Sequence, residues 1–299
     1  MAVLTTSGLV VPNQILTPWL EKVRYGSAVA SLVPAAPMQF GPGQAMTYNI
    51  GEAEYVGEGA NKSGSTVTSQ TYTIAPFKFH KTVRWTEEVM WADEDHQLGV
   101  VQQILDLIQP ALSRALDFGV FHGVNPATGT AVAAMTQRLT NTTNVVEIGA
   151  SDKVYTPLDA ADAAVLNDGF IPRAVALDPT WAAAFVQARA AQTEAKLYPE
   201  FTLGAGTTTL GGHTAAVSDT VRAQGVITPD TAIRGFVGDF NGIRWGIQRN
   251  IGLQLIEYGD PDGAGDLKRN NQVAFRAEVV YGWGIANLNA FAKVVDAVA

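Results

Sequence analysis

The segment from residue 52 to residue 90 constrains the fold more than any other part of this 299-residue sequence. With the run at residues 47–50 just before it, its β-prone runs at residues 54–56, 66–74 and 78–85 flank a polar stretch and lead into a helix that begins with acidic residues. Few apolar side chains here point consistently to one side, and an isolated two-stranded hairpin is marginally stable in water. The sequence therefore predicts a projecting hairpin that becomes ordered by lying on something else.

Length, composition and charge limit the kinds of protein that this sequence can be. A chain of 299 residues can bury a sizeable core in one or two domains. Charged residues make up 16% of it, against roughly 25% in an average soluble protein, which favours extensively covered surfaces. The net charge is −8 and the longest basic run is the pair Lys268 and Arg269, so tight readout of nucleic acid is not expected.

Several kinds of chemistry lack the residues that they need. The sequence has no cysteine, which removes disulfides, thiolate metal ligands and thiol nucleophiles. It has no apolar run of about 18 residues to span a membrane, and its N-terminus does not resemble a signal peptide. A phosphate-binding loop would use Lys62 and Ser63, but Asn61 and Val56 occupy its glycine positions, so a polar loop tip is expected instead.

Two groups of polar residues have both a metal-binding and a structural interpretation. The histidines are His80, His96, His122 and His213. Their wide separation favours four surface or partly buried imidazoles over a shared metal site. Asp260, Asp262 and Asp266 resemble the start of a calcium-binding loop, but the later ligands are missing, so a solvated turn is favoured.

Periodicity divides the rest of the chain into a helical region, an α/β region and a late β region. Residues 97–121 have helical spacing, with Pro110 expected to bend the helix and Gly119 to begin the turn that ends it. The α/β region is predicted to contain helices at residues 157–167 and 179–191, strands at 174–177 and 214–218, and a loop at 203–212. The late strands are predicted at residues 236–239, 243–249, 253–258, 273–281 and 286–295. These late strands should pair with the early ones, which makes the α/β region an insertion in an α+β fold.

An ordered set of motifs carries a family resemblance over essentially the whole chain. The motifs are EYVGEGANKSGS at residues 54–65, VRWTEEVM at 83–90, LGGHTAAVSDTV at 210–221, FVGDFNGIRWGI at 236–247 and the stretch from 270 to 291. Their order and spacing resemble the major capsid proteins of tailed double-stranded-DNA bacteriophages, which have the Hong Kong 97-type fold.

The resemblance implies a role for each part of the chain. Residues 1–39 would be an N-terminal arm and residues 40–76 the extended hairpin, or E-loop. Residues 77–154 would form the peripheral domain with its spine helix, residues 155–228 the inserted axial domain, and residues 229–299 the late strands of the peripheral domain.

The implied function is that of a major capsid protein without enzymatic activity, cofactor or membrane attachment. Subunits would form hexamers and pentamers that close into an icosahedral head, assembled in the bacterial cytoplasm and holding double-stranded DNA by confinement. Portal, scaffolding or decoration proteins would be further partners. Because the sequence starts directly at the arm, a scaffolding segment would be a separate protein, absent or already removed.

Two alternatives remain open at this stage. An encapsulin-like shell shares the fold but encloses cargo enzymes. A soluble enzyme or sugar-binding module with an α/β insertion would need a convergent set of polar catalytic residues, and the sequence offers none.

The resemblance also implies candidate residues for a covalent bond between subunits. Lys62 matches the lysine at the hairpin tip, and Asn271 and Glu278 match the asparagine and glutamate of relatives that form isopeptide bonds. Such a bond needs a neutral lysine to attack a side-chain amide, with a carboxylate acting as base. The alternative is that Lys62 is a solvated or ion-paired lysine at a loop tip.

Overall fold

A computed structural model describes residues 26–89, 91, 102, 106–150, 153–190, 193–203 and 206–297. Within these residues the strands are β1 (Gly43–Asn49), β2 (Thr68–Thr86), β3 (Asn144–Ile148), β4 (Ala174–Leu177), β5 (Thr207–Leu210), β6 (His213–Val217), β7 (Ile233–Gly238), β8 (Ile243–Ile256), β9 (Gln272–Ile285) and β10 (Phe291–Asp296). The α-helices are α1 (Ala28–Leu32), α2 (Ile108–Asp117), α3 (Thr156–Asn167) and α4 (Pro179–Gln187). Short 3₁₀ turns at Leu139–Asn141, Phe240–Gly242, Lys268–Asn270 and Leu288–Ala290 connect them.

The first sheet joins early and late parts of the chain. Its strand order is β1-β2-β9-β8, and every neighbouring pair is antiparallel. The expectation that late strands pair with early ones is confirmed by β9, which pairs with β2 from Trp283 opposite Ala75 to Gln272 opposite Thr86. The two strands predicted at residues 243–249 and 253–258 are instead the single strand β8, which bends at two irregularities in its register.

The second sheet crosses the boundary expected at residue 228. Its order is β3-β10-β7-β4-β6-β5, with β10 parallel to β3 and β4 parallel to β6. Strands β4, β5 and β6 belong to the predicted α/β region, but β4 pairs with β7, which follows it. The sheet of the α/β region is therefore continuous with the late strands.

Both faces of this second sheet are covered. Ala174 and Ala176 of β4 lie in the core that includes α1 and the end of α2, whereas Val175 and Leu177 lie in the core beneath α3 and α4. All four side chains of β4 are buried, which is why its sequence is an uninterrupted apolar run.

The α/β region contains both confirmed and wrong predictions. The helix predicted at residues 157–167 and the strand at 174–177 are confirmed by α3 and β4. The predicted loop at residues 203–212 is wrong in part, because residues 207–210 form β5 and pair with β6. Residues 54–56, predicted as a strand, lie outside both strands of the hairpin.

Only the C-terminal part of the helix predicted at residues 97–121 can be compared, because most of residues 92–105 lie outside the described residues, as do residues 1–25 of the predicted arm. Pro110 lies in the first turn of α2. The predicted helix end at residue 121 is confirmed to within one residue, but the turn does not begin at Gly119: a π-helical turn, Phe118–His122, continues the helix to Gly123, which has a φ of 66°. Gly119 is needed there because a Cβ atom would lie 2.5 Å from the Trp283 ring.

Candidate assembly surfaces

The hairpin formed by β1, β2 and their connecting loop extends beyond the four-stranded sheet. Residues 68–74 of β2 pair with β1, and β9 begins to pair with β2 only at Ala75. The loop of residues 50–67 contains no buried residue. The projecting hairpin predicted from the sequence is therefore confirmed.

Large apolar side chains are exposed along this hairpin. Tyr48, Ile50 and Val67 are each more than half exposed, and Tyr55 is 92% exposed. Single exposed apolar residues are ordinary on a monomer, but several on one uncovered hairpin indicate a surface that another molecule covers.

The hairpin loop also has an acidic balance. It carries three exposed carboxylates, from Glu52, Glu54 and Glu58, and one exposed ammonium group, from Lys62. The Ser63 hydroxyl donates a hydrogen bond to Glu54 within the loop. A partner for this loop should offer apolar area together with positive charge.

The base of the hairpin is attached to the edge of β8. The Ala36 N–H donates to the Trp245 carbonyl (2.8 Å), and the Gln248 side chain exchanges two hydrogen bonds with the backbone of Gly41 (3.0 and 2.9 Å). A groove of about 530 Å³ lies beside these contacts, with Arg244 and Tyr72 in its wall. These contacts fix the direction in which the hairpin leaves the sheet.

The structure separates the three residues considered for covalent bonding. Lys62 lies in the exposed loop that precedes β2, whereas Asn271 lies beside Glu87 and Glu88, which follow β2. Since β2 has 19 residues, its contour length is roughly 60 Å. A bond between Lys62 and Asn271 would therefore have to join two subunits.

Glu278 is also remote from Asn271 within one chain. Seven residues separate them along β9, which corresponds to roughly 23 Å of extended strand. The Glu278 carboxylate is mostly buried and forms an ion pair with Lys78 (2.7 Å), with Arg276 at 3.9 Å. Its environment is therefore that of a paired, charged carboxylate.

Sequence reasoning missed the carboxylate that does contact Asn271. The Asn271 side-chain amide donates to the Glu88 carboxylate (2.6 Å), and Asn271 has a left-handed backbone with a φ of 51°. Hydrogen bonds from its own backbone and from Asn271 lower the pKa of Glu88. Only the register between β2 and β9 reveals this contact, because the two residues are 183 positions apart.

The acidic turn considered as a calcium loop is bound to an arginine. The Arg84 guanidinium contacts the carboxylates of Asp260 and Asp262 and the Gly265 carbonyl. The favoured prediction of a solvated turn is confirmed, because Asp260, Asp262 and Asp266 are all exposed, and two of them are also paired with Arg84. Within the described part of the chain, no group of three or more potential ligands could hold a metal ion.

The four histidines were expected at surface or partly buried positions, and two of them are more buried than that. His80 is exposed on β2 and His96 lies outside the described residues, but His122 and His213 are buried. The His122 Nε2 lies 3.0 Å from the Thr220 carbonyl, and burial lowers the pKa of His122 to about 4. A hydrogen bond to Asp162, 3.1 Å away, raises the pKa of His213.

A projecting hairpin with exposed apolar side chains, a helix beside a four-stranded sheet and a mixed six-stranded sheet together indicate a structural subunit that neighbours complete. The model of the phage capsid family matches residues 7–296, and the chain belongs to this family. A comparison with curated proteins finds no match.

Solved structures support the same assignment. A chain from Mycobacterium phage Ogopogo is 44% identical, with a TM-score of 0.85 and coverage of 99% of this chain and 100% of that chain. A chain from Gordonia phage Cozz is 27% identical, with a TM-score of 0.81 and coverage of 98% and 93%. The capsid of an empty GTA particle, 14% identical with a TM-score of 0.63 and coverage of 98% and 97%, shares the fold.

The chain is thus a structural subunit of a phage capsid, with the Hong Kong 97-type fold expected from its motifs. The encapsulin-like alternative is not favoured, because the family model and the first two structures are those of phages. No helix among the described residues is both long enough and apolar enough to cross a membrane.

Proposed function

We propose that copies of this chain assemble through hexamers and pentamers into an icosahedral phage head that encloses double-stranded DNA. The observation that carries this proposal is the uncovered hairpin with Tyr55 at its exposed loop. The four-stranded sheet of the same subunit begins at the other end of the hairpin, so it cannot cover this loop. A neighbouring subunit would cover it instead. Such a head-to-tail contact uses two different surfaces, and repeated around an axis it closes rings.

In this assembly each part of the chain has the role that the family resemblance suggested. Residues 40–76 are the E-loop that lies over the adjacent subunit, and residues 1–39 are the N-terminal arm. Residues 77–154 and 229–299 form the peripheral domain, and residues 155–228 form the axial domain around the local symmetry axes. The pairing of β4 with β7 makes the axial domain continuous with the peripheral domain.

The shell holds its genome by confinement, and its role is structural, without catalysis. The net charge of −8 supports weak contact with DNA, because phosphate binding relies on clustered lysine and arginine. Portal, scaffolding or decoration proteins are the other partners of this subunit, which is assembled in the bacterial cytoplasm and resides in the virion.

We also infer a covalent bond between subunits, which is supported by the separation of its residues within one chain. Lys62 of one subunit would attack the side-chain amide of Asn271 in a second, forming an isopeptide bond and releasing ammonia; because Glu278 is remote from Asn271 within one chain, the Glu278 carboxylate that acts as base would come from a third subunit. The exposed position of Lys62 allows this reach between subunits.

The assembly is tested by negative-stain electron microscopy and size-exclusion chromatography of the purified full chain. Icosahedral shells or hexamer rings are expected. In a matched variant, residues 50–67 are replaced by Asn-Gly, which closes β1 and β2 with a two-residue turn. This variant should fold but not form shells, whereas shells formed by the capped variant would contradict the role of the loop.

The covalent bond is tested by boiling intact shells in detergent before gel electrophoresis. Ladders of linked subunits are expected, and Lys62→Arg and Asn271→Asp should each remove them. Lys81→Arg, at another exposed lysine, should leave them unchanged. A single monomer band from intact wild-type shells would rule out the bond.

A further inference from the structure

A buried carboxylate binds the start of helix α1. Asp117, the last residue of α2, is completely buried. It accepts hydrogen bonds from the N–H groups of Ala28 (2.8 Å) and Val29 (3.1 Å), at the start of α1. It also accepts from the hydroxyl of Ser27 (2.5 Å) and contacts that of Thr220 (2.5 Å). Asp117 thereby joins residues 27–29 to the turn that follows β6.

A chain of hydrogen-bonding contacts leads from Asp117 through Thr220 and Ser218 to Gly26. The Thr220 hydroxyl oxygen lies 2.5 Å from Asp117 Oδ2 and 2.8 Å from the Ser218 hydroxyl oxygen. The Ser218 oxygen in turn lies 3.0 Å from the Gly26 carbonyl oxygen. These four oxygens form a row with three contacts, each at hydrogen-bonding distance.

The row contains too few hydrogens when Asp117 is ionised. A carbonyl oxygen and a carboxylate only accept, so Ser218 and Thr220 supply two hydroxyl hydrogens for three contacts. Ser218 and Thr220 are both fully buried. All three contacts are hydrogen bonds at once only when a proton on Asp117 Oδ2 is donated to Thr220.

The other groups around Asp117 do not provide this hydrogen. Ser27 accepts from the Ala30 N–H and directs its own hydrogen to Asp117 Oδ1. The two backbone N–H groups of α1 point to the carboxylate and are not part of the row. The missing hydrogen therefore belongs on Asp117 itself.

The ionisable groups packed around this site come from α2, the turn at Asp219 and β9. Arg114 is directed to Asp219, and Tyr281 donates its hydroxyl to the Leu112 carbonyl (3.2 Å). His122 lies against the Thr220 carbonyl, and its lowered pKa keeps it neutral above about pH 4. Residues 26–32 have no ionisable side chain. Burial raises the pKa of Asp117, opposed by the hydrogen bonds from Ser27, Thr220, Ala28 and Val29.

We propose that Asp117 is a proton-binding site that controls how firmly Gly26 is held. With the proton bound, the row from Asp117 through Thr220 and Ser218 to Gly26 is complete. When the proton leaves, one of the three contacts loses its hydrogen, and the attachment at the root of the N-terminal segment weakens. The folded state binds this proton more tightly than the unfolded chain, so the stabilisation is present at low pH and is lost as the pH rises through the folded-state pKa.

Infrared spectroscopy of the full-length protein across a pH series tests this proposal, because the C=O stretch of a protonated carboxyl differs from that of a carboxylate. We expect a protonated aspartate band that persists above the usual range of aspartate pKa values and that is lost in Asp117→Asn. Asp178→Asn is the matched control, since Asp178 is buried but paired with Arg234 (3.1 Å). If Asp117→Asn does not fold, labelling aspartate with ¹³C shows that the band comes from an aspartate, and its response to Ser218→Ala assigns it to Asp117.

Ser218→Ala tests whether the missing hydrogen in the row, and not burial alone, keeps Asp117 protonated. This variant leaves one hydroxyl hydrogen for one contact, so the protonated band should disappear at a lower pH than in the wild type. Amide exchange of Gly26 and Ser27, corrected for its intrinsic pH dependence, should accelerate roughly five-fold when Asp117 ionises, as expected for one lost hydrogen bond. A band that titrates in the ordinary aspartate range, or whose midpoint Ser218→Ala leaves unchanged, would overturn the proposal.

Discussion

The hairpin and the six-stranded sheet are both built from hydrogen-bonded strands, but they lie in opposite surroundings. In the sheet, β4 has every side chain buried because apolar layers cover both of its faces. In the hairpin, residues 50–67 contain no buried side chain, and Tyr55 is almost fully exposed.

This difference separates what folds the subunit from what assembles it. Burial of apolar area is the main favourable term in folding, so the sheet and its helices should be stable within one chain. The hairpin gains little from its own chain and must gain its stabilisation from a neighbour. Substitutions in the two regions should therefore affect different measurements.

The largest effect on folding is expected from Trp283→Ala. Trp283 is fully buried, lies against Phe77 with ring centroids 4.3 Å apart, and donates its indole N–H to the Gln137 carbonyl (2.9 Å). Its removal should lower the free energy of unfolding by about 3–5 kcal/mol. Denaturant unfolding in the Asn-Gly-capped background measures this in unassembled protein.

Trp91→Ala is the control for this prediction, because Trp91 is about half exposed. A surface change of this kind usually alters stability by less than about 0.5 kcal/mol. Equal losses from the two substitutions would contradict the division between a self-sufficient core and surfaces completed by neighbours.

The next largest effect is the pH dependence of the free energy of unfolding that comes from His122. Burial lowers the pKa of His122 from 6.5 to about 4, so the unfolded chain binds more protons within that window. The free energy of unfolding should therefore fall by about 3 kcal/mol from this residue as the pH drops from 6.5 to 4. His122→Gln should lack this component. Comparing the two proteins at each pH cancels the contributions of the carboxylates, and parallel pH profiles would refute the assignment.

Local signals explain which parts of the fold could be predicted. The apolar run of β4 ends at Asp178 and Pro179, which begin a helix, and its bounds were predicted correctly. The hairpin was predicted because its loop is long and polar. The motif order identified the family because it extends over the whole chain.

The missed features depend on contacts between distant residues. Gly119 looks like a helix terminator, and only the Trp283 ring explains why a glycine lies inside the helix. β5 is rich in threonine beside glycines, so its pairing with β6 has no clear local signal. The contact between Glu88 and Asn271, and the burial of Asp117 and His122, likewise require the assembled sheets.

A smaller effect is expected at the α/β region from Asp162→Asn. Its partner His213 has a raised pKa because of Asp162, so this contact stabilises the fold below pH 6.5 and is lost as the pH rises through the folded-state pKa. The substitution should cost about 1 kcal/mol at pH 6 and less at pH 9. Thermal unfolding at the two pH values measures the difference, and a cost that grows towards pH 9 would show that His213 is neutral in the fold.

The smallest effect on folding, with the largest effect on assembly, is expected from Tyr55→Ser. Tyr55 is 92% exposed, so its loss should change the free energy of unfolding by less than about 0.5 kcal/mol. An aromatic side chain buried at the centre of an interface can contribute about 2 kcal/mol or more, and that contribution is repeated in every subunit of a shell.

Tyr258→Ser is the matched control, because Tyr258 is 69% exposed but lies outside the hairpin, near the acidic turn. Sedimentation should show a strong reduction of shells for Tyr55→Ser alone. If Tyr55→Ser instead destabilises the unassembled subunit and leaves shells intact, the hairpin packs on its own chain, and the contrast between the two regions fails.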